Sequence, residues 1–319
     1  MRFMLFSVAI GATLTLSLVG AAGASAATEA GNRCVGNSGA ENSTVYAIAN
    51  APGDPLSATI PVDGVISHWS FNVIPVDPNL IAQRLKIFRP TGVPNQFQVI
   101  GESSQEPLLG GLNTFSTRIP VHAGDFIGTT GTVEGNDAAV YCNTGNPGER
   151  LGAFSGNPQL NSTATSETEA STVQVPITVS IEPDADNDGF GDETQDGCPQ
   201  SAAYQTACPV VTLSASASAS KKFVTVVLTG SVAANATVNG KVTLGKGKKA
   251  TLKGGTKAVA PGAFTKFKLK FPAKLIKRLK ELPPSKKLTL KVTSTAPNLA
   301  GAPTAKTIKV KLKGQGATS

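Results

Sequence analysis

The chain is short of imidazole, aromatic rings and charge. Two histidines in 319 residues, His68 and His122, are its only ring bases. They lie far from any paired cysteine, and no C-x2-C occurs, which argues against a zinc site. No G-x-S-x-G, H-E-x-x-H, P-loop or dinucleotide fingerprint is present, so the common hydrolase, zinc-protease and nucleotide-enzyme signatures are missing. Aromatics make up 5% with a single Trp, and charged residues 16%. Gly 33 and Pro 21 fall well short of a collagen-like or low-complexity chain and favour short strands with many turns. No segment after the first twenty residues is apolar enough to span a bilayer.

The start reads as an export leader. Met1-Arg2-Phe3 is a short basic opening, residues 4–20 are apolar or small without charge, and Ala24-Ser25-Ala26 suits signal peptidase, so cleavage is expected before Ala27. Four cysteines in an exported chain imply two disulfides. Of the three connectivities, Cys34–Cys142 with Cys198–Cys208 fits the segmentation best.

The remaining chain is expected to be all-β, two β-sandwich domains joined by a calcium-binding, disulfide-closed connector. The boundaries are 1–26 for the leader, 27–181 for a jelly-roll-like sandwich, 182–209 for the connector and 210–319 for a basic sandwich. Apolar and polar residues alternate over Leu56–Ile60, Ile66–Phe71, Leu85–Phe88, Phe97–Ile100, Phe115–Ile119 and Val173–Val179, the period of half-buried antiparallel strands. Residues 143–172 are poor in apolar side chains, and part of that stretch is expected to be an exposed loop. After Val210, Lys takes the polar positions, as in Lys266–Phe271, Leu288–Val292 and Ile308–Leu312. One helical segment, Ala273–Leu282, places Leu275, Ile276, Leu279 and Leu282 on one face between Pro272 and Pro283-Pro284, and reads as a short crossover laid on the sandwich. With its Lys-rich strands and Ala-Pro-Asn-Leu-Ala-Gly turn, this region resembles bacterial immunoglobulin-like domains of secreted actinobacterial proteins.

The connector holds the most specific pattern. Asp184, Asp186 and Asp188 occupy positions 1, 3 and 5 of a calcium loop, Gly189 position 6, Phe190 position 7 with its carbonyl, and Asp192 position 9. Calcium takes six to eight oxygens, which alternate residues of a turning chain can supply. At position 12 Gln195 replaces the bidentate Glu, leaving Asp196 or Glu193 to complete the shell. Six carboxylates fall within residues 184–196, and no Lys or Arg lies between Arg150 and Lys221 to offset them. The segment resembles a thrombospondin type 3 repeat, whose Asp series is followed by Cys-Pro, here Cys198-Pro199. It departs from that family in placing the last Asp one residue late, at Asp196, and the resemblance implies a calcium role alone.

Ser67, His68, Ser70 and Asp63 can be written as a Ser-His-Asp set, but Ile66–Phe71 reads more simply as a strand, and His122 as a turn residue. No catalytic residue is assigned, and the protein is expected not to be an enzyme. Trp69, Tyr46 and Tyr141 are the aromatics to test as sugar platforms. Residues 1–209 carry 7 basic and 20 acidic side chains, residues 210–319 carry 22 and 1. The cationic half is expected to meet anionic cell-wall polymers or acidic polysaccharide through charge. With one Arg among its basic residues and its Phe side chains expected inside, it is not expected to read nucleic-acid sequence. The leading expectation is a secreted noncatalytic protein with a structural or adhesive role at the cell surface. The alternative is a carbohydrate-binding protein using the first sandwich, with an unrecognised hydrolase behind it.

Overall fold

The computed structural model describes residues 26–74, 81–245, 247–299 and 301–316. The leader up to Ser25 lies outside them. The described chain is built from antiparallel strands and one helix. Its first half contains β1 (Thr28–Gly31), β2 (Ser38–Glu41), β3 (Ser43–Ala49), β4 (Gly64–Val73), β5 (Ile81–Pro90), β6 (Gln96–Glu102), β7 (Glu106–Pro107), β8 (Gly111–Val121), β9 (Phe126–Val133), β10 (Asn136–Asn143), β11 (Arg150–Ser155), β12 (Thr163–Thr165), β13 (Thr168–Ser171), β14 (Val173–Gln174) and β15 (Ile177–Glu182). The second half contains β16 (Leu213–Ala219), β17 (Phe223–Gly230), β18 (Ala234–Gly245), β19 (Lys248–Val259), β20 (Thr265–Lys270), α1 (Ala273–Glu281), β21 (Lys287–Asn298) and β22 (Gly301–Lys313).

In the first half a four-stranded sheet, in the order β1-β15-β4-β8, faces a large sheet whose spine runs β12-β6-β5-β9-β3-β11-β13. Along β4 Trp69 and Phe71 alternate inward, and a shift of register between Ile66 and His68 lets Ile66 join them in one buried cluster with Leu85, Ile87 and Ile127 of the other sheet. The large sheet also buries its outer face, through Tyr46, Phe88, Phe97, Val99 and Phe154. Tyr46 sits at the centre, 5.0 Å from the rings of Phe97 and Phe154. Its cross-strand neighbours on the two sides are Gly128 and Gly152. A Cβ at Gly152 would run into the Tyr46 ring and one at Gly128 into Phe88, so the aromatic layer lies flat only because these two positions carry no side chain.

Two expectations change. Leu56–Ile60 buries Ala58 and Ile60 with the right period but makes only single bridges at Ser57 and Thr59, because Pro55 and Pro61 bracket it and stop the ladder. Val173–Val179 is two strands rather than one: Pro176 has no N–H to give, and there the chain leaves β14 in the large sheet for β15 in the small one. Part of residues 143–172 is exposed loop, as expected, at 145–148 and 159–161, and the rest of the stretch includes β11, β12 and β13.

The second half is a sandwich of a three-stranded sheet, β16-β17-β20, and a four-stranded sheet, β19-β18-β21-β22. Val224, Val226, Leu228, Phe267, Leu269, Leu290 and Val292 fill its interior, while Lys266, Lys268 and Lys270 alternate outward. Helix α1 carries the chain from one sheet to the other and buries Leu275 and Leu279, the crossover that its pattern implies. Phe264 departs from the internal placement expected of the Phe residues, being 73% exposed in the turn before β20. Both disulfides pair as expected, Cys34 with Cys142 and Cys198 with Cys208.

Gly152→Ala is expected to lower unfolding stability by about 1–3 kcal/mol through overpacking against Tyr46. Gly39→Ala, whose Cβ meets nothing nearer than 3.8 Å, should change it little. Urea denaturation followed by Trp69 fluorescence measures both.

Candidate metal centre

Beyond β15 the connector has no regular structure and is folded by side-chain bonds to its own backbone. Asp184 accepts the N–H of Asp188 at 3.0 Å and of Gly189 at 2.9 Å, Asp188 accepts that of Phe190 at 2.9 Å, and both oxygens of Asp192 accept that of Ala185 at 3.2 Å. Asn187 and Gly189 take left-handed φ values of 58° and 83° that make the reversal. Each bond curls the chain around its own carboxylates. One oxygen from each of Asp184, Asp186 and Asp188 therefore lies within 4.8 Å of the others, a group that could hold a metal ion such as calcium.

The cluster is chemically incomplete without a cation. Both side-chain oxygens of Asp186 and Oδ2 of Asp196 are buried with no hydrogen-bond partner. The nearby Ser201 N–H donates to the Cys198 carbonyl at 3.0 Å instead. An unpaired buried carboxylate oxygen costs several kcal/mol in general, and oxygens of this kind are the donors a hard divalent ion takes. Desolvation, with repulsion from Asp188, Asp196 and Asp184, pushes the Asp186 carboxyl above its ordinary range. Desolvation, opposed by the Ala185 N–H and reinforced by Asp184, Asp186 and Asp196, raises Asp192 likewise. The residues present fit a divalent cation.

The remaining expected positions separate. Asp196 is buried, accepts the Cys198 N–H through Oδ1 at 2.7 Å, and has no partner at Oδ2; Glu193 is exposed. Gln195, at position 12, turns away from the cluster and donates through Nε2 to the Thr117 carbonyl at 2.6 Å. The Phe190 ring lies under the Arg118 guanidinium, 4.0 Å from its centroid. Thr117 and Arg118 belong to β8, the outer strand of the small sheet, so the connector covers a strand edge that would otherwise present free carbonyls.

Two further side chains shape the site and carry no sequence mark of their own. Glu182 accepts the N–H groups of Glu193 at 3.0 Å and Thr194 at 2.9 Å and the Thr194 hydroxyl at 2.6 Å. Desolvation raises its carboxyl, but bonds from Ser67, Thr194 and the two amides outweigh that and hold it below the usual range. Gln205, within the ten-residue span closed by Cys198–Cys208, donates to Asp188 Oδ2 at 3.0 Å. The disulfide thus holds a second turn of chain against the first.

His68 bonds Ser67 Oγ at 3.1 Å and His122 stands 3.5 Å from Asp63, the surroundings of a strand and of a turn. Trp69 and Tyr46 are 1% and 3% exposed and belong to the core, so neither presents a face to a sugar; Tyr141 is half-buried against the same core.

No protein-family model matches the sequence, and no curated protein matches it. Among solved structures, the sporulation control protein Spo0M of Bacillus subtilis aligns at 12% identity and a TM-score of 0.21, over 34% of this chain and 51% of that one. A GH2 beta-galacturonidase from Eisenbergiella tayi, bound to galacturonate, aligns at 8% and 0.20 over 90% and 44%. The beta-glucuronidase of Bacteroides uniformis aligns at 10% and 0.17 over 85% and 26%. The chain spans about half or less of these proteins, and likenesses this slight carry no argument.

Two outcomes follow from the electrostatics and the docking. A carboxyl raised on folding stabilises the fold below its unfolded pKa and loses that contribution as pH rises through the folded value. With chelator present, Asp186→Asn is therefore expected to melt above the unmutated protein at neutral pH, the advantage disappearing on acidification; saturating calcium reverses the order. Gln195→Ala, which removes the bond to Thr117, is expected to cost about 0.5–1.5 kcal/mol and to speed proteolytic nicking within residues 182–209, read by mass spectrometry.

Proposed function

We propose that this is an exported, noncatalytic protein in which one calcium ion locks the connector onto the first sandwich, while the cationic second sandwich retains the molecule at a polyanionic cell surface in a structural or adhesive role. The observation that carries the calcium reading is the close group of Asp184, Asp186 and Asp188, in which both oxygens of Asp186 are buried without a partner, with a further buried, partnerless oxygen on Asp196. Asp184, Asp186, Asp188, Asp192 and Asp196 would hold the ion, with the Phe190 carbonyl at the seventh position, in the manner of a thrombospondin type 3 repeat. Bound calcium would supply charge neutralisation and cross-linking of the loop. The chain's own residues do the rest: Glu182 fixes the amides after the loop, Gln195 and Phe190 hold it on β8, and Gln205 closes it from the disulfide side.

Export is supported by the leader sequence and by two disulfides, which persist in oxidising compartments. No helix among the described residues is long and apolar enough to cross a membrane. Surface retention is supported by the 22 basic side chains after residue 209 against a single acid. Seven strands in two sheets suit the immunoglobulin-like reading of that half.

Calorimetric titration of the full chain with calcium is expected to give one site with Kd of about 10⁻⁴ to 10⁻³ M, the range of extracellular modules. The heat should vanish in Asp186→Ala plus Asp188→Ala. Absence of heat in the unmutated protein would overturn the calcium assignment. For retention, isolated cell walls should bind the protein and release it with salt.

A further inference from the structure

Five of the 22 basic side chains of the second sandwich meet at one pocket. A pocket of about 650 Å³ opens between α1 and the β18–β19 hairpin and gathers Lys248, Lys249, Lys274, Lys277 and Arg278 against one acid, Glu281. The spacing of residues 274, 277, 278 and 281 puts them on one face of α1, opposite the buried Leu275 and Leu279. Arg278 is half-buried. Its Nε donates to the Leu244 carbonyl at the end of β18 at 3.0 Å, and its Nη1 meets Glu281 at 3.4 Å. The helix is thus pinned to the hairpin and the pocket is held open. The four lysines are exposed, and none has a carboxylate partner among the described residues. The first turn of α1 has no acidic side chain and Pro272 gives no side-chain cap, so the positive end of the helix adds to the field.

We propose that this pocket binds a phosphodiester polymer, a linear chain with one phosphate per repeat. The proposal rests on the surface-retention reading and assigns it a site. Four ammonium groups gathered without counter-charge repel one another, and a ligand with several negative charges relieves that repulsion. The ligand class follows from the donors. The only planar fork, Arg278, is engaged by Leu244 and Glu281, so the two-oxygen geometry of a carboxylate finds no matched partner. Lysines act on phosphate as point charges and need no such match. No aromatic side chain lines the pocket, which leaves nucleic-acid bases nothing to stack on.

The test uses the full chain with calcium present and purified poly(glycerol phosphate) as probe. Lys248, Lys249, Lys274 and Lys277 are replaced together by Ala. A control replaces Lys253, Lys257, Lys266 and Lys268 of β19 and β20, removing the same charge from an exposed surface outside the pocket. The pocket variant is expected to lose about ten-fold or more in affinity at low salt and to flatten the log–log salt dependence by about 3, while the control changes affinity by about three-fold or less. Melting temperatures close to the unmutated value confirm that both variants fold. Equal losses in the two variants would overturn the pocket while leaving retention by diffuse charge in place. No binding by the unmutated protein would overturn both. Tighter binding of polygalacturonate than of poly(glycerol phosphate) would overturn the ligand class.

Discussion

The convergence of carboxylates in the connector is the constraint on which the rest of that region depends. Asp184 and Asp192 accept nearby backbone N–H groups with both oxygens and Asp188 accepts one with Oδ1, and those bonds draw the chain into a tight coil. The same coil brings the carboxylates of Asp184 and Asp188 beside Asp186, whose oxygens have no partner. The bonds that shape the loop therefore also set its carboxylates against one another, a repulsion that a positive charge at the centre would relieve. Desolvation first, and repulsion from the neighbouring carboxylates after it, raise the carboxyls of Asp186 and Asp192.

The connector is also less a tether than a part of the first sandwich. Gln195, Phe190 and Glu182 fasten it to β8 and to the end of β15, and by doing so they cover the free edge of the four-stranded sheet. Sheet edges left bare are sites of association. Here Gln195 donates to a carbonyl of the edge strand, and buried Asp196, one position later, has the free oxygen.

Charge is handled differently in the two sandwiches. The second keeps its lysines outside by strict alternation, with Phe267 and Leu269 fully buried between exposed Lys266, Lys268 and Lys270. The first places Lys86 in an alternating run as well, yet buries it completely, bonded to Glu102 at 2.7 Å and to the Pro158 carbonyl at 2.6 Å. Desolvation pushes the Lys86 ammonium down, and Glu102 opposes the shift. Alternation states which residues share a face. It does not state whether that face meets water, and in the large sheet the outer face is covered by the aromatic layer around Tyr46.

The sequence by itself determined the all-β class, the alternating strands, the short crossover helix, the number of disulfides and the Asp series, because each is written in local spacing or in the count of a rare residue. Local spacing also misled where proline intervened, at Leu56–Ile60 and at Pro176, since a period says nothing about whether backbone N–H groups find a ladder. Only the tertiary structure decided the rest. It put Trp69 and Tyr46 in the core, brought Thr117 and Arg118 from β8 to a connector nearly eighty residues away in sequence, and gathered Lys248 and Lys249 with Lys274 and Lys277 in one pocket. These are contacts between segments distant in the chain, fixed by sheet order and by what packs over each face, and no periodicity within a single segment encodes them.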